Sequence, residues 1–357
     1  MPLQRQESAA RRFLSLIGIK PFATKSILLF VALLWGVLAV IAITTQQKPS
    51  AVAAVQPLTP TQFQSQVTKL TGLMKSKGIN AAFSYTEQQI TSNPSFAQAC
   101  HPLLHELGHA AYTYYGGYAQ AIVYQNELCD SGYTHGVLES YLSSGPDISQ
   151  ALQTACSTTT KVFNQWQCYH GLGHGVMLVS MENVAHSTTL CNTLPTPFSQ
   201  DACINGVFMQ HFVVTDHDGS IPKTNPTSLK DCAVQPVMYK PVCYNYAPSA
   251  YLTVNNGQYA AAFKWCHTAE TAYIPTCIGG VGSQAMKEHI TIAAEVQQIC
   301  DMADKSYVGD CINGAAGMDV YFYGSAAPAA SLCQNQFKQY RKVCSSAVSL
   351  EKSILQL

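Results

Sequence analysis

Twelve of the 14 cysteines fall into six pairs at nearly constant spacing. They are Cys156/Cys168, Cys191/Cys203, Cys232/Cys243, Cys266/Cys277, Cys300/Cys311 and Cys333/Cys344, separated by 12 residues twice and by 11 four times. The second cysteines recur after 35, 40, 34, 34 and 33 residues. A period in that range marks a helical-repeat array, whose units cannot bury their apolar faces alone. Other residues keep the same phase. Three positions after the second cysteine stand Gly171, Gly206, Gly280 and Gly314, with Tyr246 and Ala347 as exceptions. Four or five positions before it stands an aromatic residue: Phe163, Phe198, Tyr239, Tyr273, Tyr307 or Tyr340.

Segments that follow the second cysteine, such as CYHGLGHGVMLVS and CINGAAGMDVYFY, are small, apolar and poor in charge. That composition suits a helix covered by neighbours on most sides, and the recurring glycine lets helices approach closely. Segments such as TIAAEVQQIC are more amphipathic and read as outer helices. Each unit is therefore expected to run inner helix, turn, outer helix, then a short aromatic-bearing segment clipped by a disulfide. A clip of this length contributes roughly 3 kcal/mol in the chain-entropy model. The expected fold is all-α, an array of about seven clipped hairpins forming an open solenoid or a closed α/α ring. Cys100 and Cys129 remain, to close the first hairpin on each other or to ligate metal. In plan the array resembles the disulfide-stapled helical repeats of the Sel1-like kind. The cysteine spacing here is longer and that family's motif residues are absent, so the resemblance implies architecture and no activity.

Residues 26–43 (SILLFVALLWGVLAVIAI) form an uncharged apolar run of 18, about the shortest that spans a bilayer as a helix. Arg5, Arg11, Arg12, Lys20 and Lys25 precede it, and only Lys48 follows closely. The positive-inside rule then makes 1–25 cytoplasmic, 26–43 a signal anchor, 44–60 a proline-bearing linker and 61–357 an extracytoplasmic domain at the cell membrane. A cleaved signal peptide is the competing reading. Against it, the run exceeds the usual hydrophobic segment, and the only A-x-A-like stretch, at 51–54, lies several residues beyond. Cysteine-rich chains of this size suit an oxidising compartment. Only 11% of residues are charged and the net charge is zero, which excludes nucleic acid as a partner. The expected partners are the membrane, through the N-terminal helix, and a peptide or protein on the concave face.

The 11 histidines are unevenly placed. His105 and His109 stand four apart, as do His135 and Glu139, and His170 and His174. Residues at i and i+4 share a helix face, so each pair can present two metal ligands. The sequences HELGH, HGVLE and HGLGH occupy the same position in three successive inner helices, and later units replace the histidines: Asn205 and Met209, Asn245 and Ser249, Gly279 and Ser283, Asn313 and Gly317. His211 follows about one turn further on.

His105-Glu106-Leu107-Gly108-His109 fits H-E-x-x-H and resembles the zincin metallopeptidases, of gluzincin type if Glu139 completes the set. The resemblance covers about ten of 357 residues. It implies a zinc held by His105, His109 and Glu139, with Glu106 as the general base acting on metal-bound water. The metzincin extension is absent, since Tyr112 and Tyr115 replace its glycine and third histidine. Glu106 also has no counterpart in the next two units, which carry Gly136 and Gly171.

Six candidate ligands exceed one zinc ion's needs. The set His105, His109, His135, Glu139, His170 and His174 suits zinc or another transition metal, two ions, or one ion with supporting histidines. The functional expectation is a zinc-dependent hydrolase. Its rivals are a metal-capture protein, an interaction scaffold, or a hydrogen-bonded histidine core without metal. Asp216-His217-Asp218-Gly219 lacks calcium-loop spacing and reads as a turn. His186, His267 and His289 have no phased partner. No nucleophile elbow, P-loop or dinucleotide fingerprint occurs, and the paired cysteines argue against a catalytic thiol.

Overall fold

Long inner helices alternate along the chain with short outer ones. The computed structural model describes residues 55–212 and 228–357, which are helical with no strand among them. The anchor expected at 26–43 and the turn at 216–219 lie outside the described residues. Among those described, no helix is long and apolar enough to cross a membrane.

An N-terminal hairpin, α1 (Pro60–Lys77) and α2 (Ile79–Ser92), packs on the first inner helix, α3 (Pro94–Tyr115). A capping box between Thr59 and Gln62 starts α1. Asn93 caps α3, accepting from the Phe96 N–H, with Pro94 in the first turn and Gly116 ending the helix in the left-handed region. Then follow α4 (Tyr118–Ala121), α5 (Leu128–Ser143), α6 (Ile148–Thr154), α7 (Val162–Val179), α8 (Val184–Cys191) and α9 (Pro197–Phe212). After the undescribed stretch come α10 (Lys230–Ala233), α11 (Lys240–Val254), α12 (Tyr259–Cys266), α13 (Ile274–Glu288), α14 (Ala293–Cys300), α15 (Val308–Tyr323), α16 (Ala326–Asn335) and α17 (Arg341–Leu355). The odd-numbered helices from α3 to α17 are the inner series.

All 14 cysteines are disulfide-bonded, in the six phased pairs and Cys100–Cys129. Six clips tie the end of one short helix to the first turns of the next inner helix. Cys266, the last residue of α12, bonds Cys277 in α13, and Cys300, the last of α14, bonds Cys311 in α15. The phased glycines sit where neighbouring inner helices cross. A Cβ on Gly206 would collide with the His170 carbonyl, one on Gly280 with the Asn245 carbonyl and one on Gly314 with the Gly279 carbonyl. Tyr246 breaks this ladder, and there α9 and α11 pack less extensively than their neighbours do.

The array also coils on itself. Helix α13 packs on α3, α15 on α5 and α17 on α7, so an inner helix meets the one five places later in the series. Packing between turns buries faces that a stack of nearest neighbours would leave wet. Large side chains such as Tyr133, Tyr244, Phe96, Phe208 and Phe322 are fully buried.

Candidate metal centre

Helices α3, α5 and α7 cross through glycine, and that brings their histidines together. A Cβ on Gly136 would collide with the backbone of His105, and one on Gly171 would lie 2.9 Å from the His135 ring. Four buried histidines converge there: His101 and His105 from α3, His135 from α5 and His174 from α7. One ring nitrogen from each lies within 4.8 Å of one from every other.

The opposite edge of each ring faces an oxygen acceptor. His101 Nδ1 donates to the Cys129 carbonyl at 2.8 Å. His105 Nδ1 lies 3.0 Å from Glu139 Oε1. His135 Nε2 donates to Gln167 Oε1 at 3.2 Å, and the Gln167 amide nitrogen donates in turn to Asp130 Oδ1 at 2.6 Å, which fixes its orientation. His174 Nδ1 donates to Gln210 Oε1 at 2.7 Å. A neutral imidazole carries one N–H. Each ring therefore keeps an unprotonated nitrogen on its inner edge: Nε2 of His101, His105 and His174, and Nδ1 of His135.

Two of these inner nitrogens, His135 Nδ1 and His174 Nε2, have no hydrogen-bond partner. The other two, Nε2 of His101 and of His105, face each other at 2.9 Å. Two lone pairs at that distance repel unless a cation lies between them. A proton on His105 would satisfy two of the four nitrogens, whereas one metal ion satisfies all four. A tetrahedral zinc with bonds of about 2.0–2.1 Å holds its nitrogens about 3.3 Å apart, inside the range spanned here. Metal-ligating histidines also donate their second N–H to a carboxylate or carbonyl, the pattern seen at all four rings.

Burial is the largest influence holding His101 and His135 well below the ordinary histidine value, with neighbouring histidines adding to it. It lowers His174 to about 4. Those three rings are neutral at neutral pH. Burial alone would raise the Glu139 carboxyl, but the electrostatic influence and hydrogen bonds of His105 and His109 outweigh it and hold it well below the usual carboxylate value. Cys129, Asp130 and Ser131 have φ of 54°, 56° and 56°, a short left-handed stretch at the start of α5. Such backbone costs of order 1–2 kcal/mol per residue. Here it accompanies the Cys129 carbonyl toward His101 and Asp130 toward Gln167, with the Cys100–Cys129 disulfide beside it.

Of the six expected ligands, His105, His135 and His174 belong to the four-histidine group. Glu139 stands behind it, 3.0 Å from His105 and 2.6 Å from His109 Nε2, and 3.8 Å from His174 Nδ1. His109 lies at the rim with its side chain 23% exposed. Glu106 lies 3.9 Å from His109 Nδ1. His170 stacks 5.1 Å from the His135 ring with its Nε2 against the Met209 sulfur, outside the group. The fourth member, His101, is absent from the sequence-based set. Its signal was present in HPLLHELGH, where His101 stands four residues before His105. His267 and His289 pair with Asp304 and Glu295 elsewhere.

No protein-family model, curated protein or solved structure matches the chain. The fold and site themselves define its class: an all-helical, disulfide-clipped repeat protein with a buried histidine cluster able to hold a metal ion.

Proposed function

We propose that this is a metal-binding repeat protein that holds one transition-metal ion, zinc by its chemistry, on His101, His105, His135 and His174. One observation carries the reading: four inward-facing imidazole nitrogens whose opposite N–H groups are already committed to oxygen acceptors. Four neutral imidazoles around a divalent ion make a closed tetrahedral site, the arrangement of zinc centres that retain metal. Glu139 supplies a nearby negative charge and orients two rings. Hydrolysis through Glu106 would need an open coordination position, which four histidines around one tetrahedral ion do not leave. Metal retention therefore has the stronger support. An extracytoplasmic, membrane-anchored placement belongs to the same proposal, resting on the apolar run at 26–43 and on seven disulfides.

The test is elemental analysis of the untagged full chain, purified from an oxidising compartment without chelator. The expected result is about one transition ion per chain, with nitrogen-only coordination by X-ray absorption. His135→Asn and His174→Asn should each lose the ion while far-ultraviolet circular dichroism is unchanged. A folded, metal-free wild type would favour the proton-bridged His101–His105 pair instead.

A further inference from the structure

The coil forms a half-open cavity of about 380 Å³, lined by residues of all the inner helices from α5 to α17. That is within the roughly 300–1,000 Å³ range of small-molecule sites. It adjoins the histidine group but has a different chemistry. Its lining includes three carboxyl side chains, Asp130, Asp310 and Glu351, and no lysine or arginine. None of the three forms an ion pair with a lysine or arginine among the described residues. Burial raises each of them from its ordinary value, although the buried Lys287 opposes this at Asp130 and a Tyr321 hydrogen bond opposes it at Glu351.

Trp166, Tyr246 and Tyr321 contribute aromatic walls, and the Trp166 and Tyr321 rings lie 4.9 Å apart. An independent observation comes from His170, which is 1% exposed and lines the same cavity. Its Nδ1 is buried without a partner, while its Nε2 rests on Met209. If Nε2 carries the proton, Nδ1 is an acceptor.

We propose that this cavity binds a small organic cation, an aliphatic amine or polyamine. Its charge is balanced by Asp310 and Glu351, its methylenes lie against Trp166, Tyr246 and Tyr321, and an ammonium N–H donates to His170 Nδ1. Aromatic faces attract a weakly hydrated organic ammonium through their quadrupoles, and they offer nothing to a strongly hydrated metal ion. An anion would meet three carboxyl groups, and a neutral sugar would leave their charge unbalanced.

Spermidine is the probe, titrated into the full chain at fixed metal content and followed by tryptophan fluorescence and calorimetry. The expected result is saturable binding with a fluorescence change that Trp166→Phe removes. Glu351→Gln and Asp310→Asn should each weaken binding about tenfold or more. Neither residue belongs to the four-histidine group, so metal content should be unchanged in both variants. The proposal is overturned by absence of saturable spermidine binding, or by binding indifferent to both substitutions. It is equally overturned if maltose or calcium binds more tightly than spermidine with the same sensitivity to Glu351→Gln.

Discussion

Glu139 is a buried carboxylate whose two oxygens accept from His105 and His109, at 3.0 and 2.6 Å. Replacing it with glutamine turns one acceptor into a donor that faces an imidazole N–H. Glu139→Gln should lower zinc affinity about 10–100-fold in a chelator competition assay. Glu106→Gln should leave that affinity unchanged, because Glu106 lies 3.9 Å from the rim His109 and is not one of the four converging histidines. Asp319, on α15, gives a separate pH signature. It is buried, its Oδ2 has no partner, and burial raises it from 3.8 to about 7. The folded chain therefore keeps this proton to higher pH than the unfolded chain does. Stability from this group is full below about pH 4, is lost as pH rises toward 7, and amounts to about 4 kcal/mol in all. Urea midpoints of the metal-free protein at pH 5 and pH 8 should show that fall, and Asp319→Asn should flatten it. An unchanged slope in the variant would count against Asp319 as the source. At this scale the sequence showed which histidines share a helix face. It hid the acceptors that fix each tautomer, because the Cys129 carbonyl reaches His101 only through a left-handed stretch that no residue pattern signals.

The glycine ladder sets how near the inner helices come, and it makes two substitutions of one kind opposite in effect. Gly314→Ala would drive a methyl into the Gly279 carbonyl and should destabilise by about 2–3 kcal/mol in urea unfolding. Gly72→Ala, on exposed helix α1 with nothing near its Cβ, should instead stabilise by about 0.5–1 kcal/mol. The Cys100–Cys129 clip joins α3 to α5 beside His101. Replacing both cysteines by serine should loosen the acceptor of that ring and weaken zinc binding by about tenfold, again in the range for supporting groups. An unaltered affinity would mean that the left-handed turn holds without its disulfide. Elements were the most legible level: the cysteine period announced the helical pairs and the clips. The left-handed stretch at the start of α5 escaped, since nothing in the residues Cys129, Asp130 and Ser131 marks positive φ.

The histidine group sits on the first three inner helices, yet α13 covers α3 and α15 covers α5. Metal loading should therefore slow amide hydrogen exchange in α13 and α15, which supply no ligand, as well as in α3, α5 and α7. Protection confined to the ligand-bearing helices would show that the turns of the coil open independently. This return of the array on itself was not legible in the period. Repeats specify the step from one unit to the next, and a small rotation per step, summed over five, decides what meets what. The cavity is a product of that sum, which is why its carboxyl groups looked unrelated along the chain. The clips have a mechanical consequence. Six of the seven disulfides close 11 or 12 residues, and none bonds one turn of the coil to another. Tension can then unwind the coil without breaking a covalent bond, but each repeat of 34 residues hides 11 of them behind its clip. At about 3.5 Å per extended residue, a pulled unit yields about 80 Å of contour instead of about 120 Å. An oxidised chain is therefore a short-travel spring, and reduction would lengthen its stroke by about half.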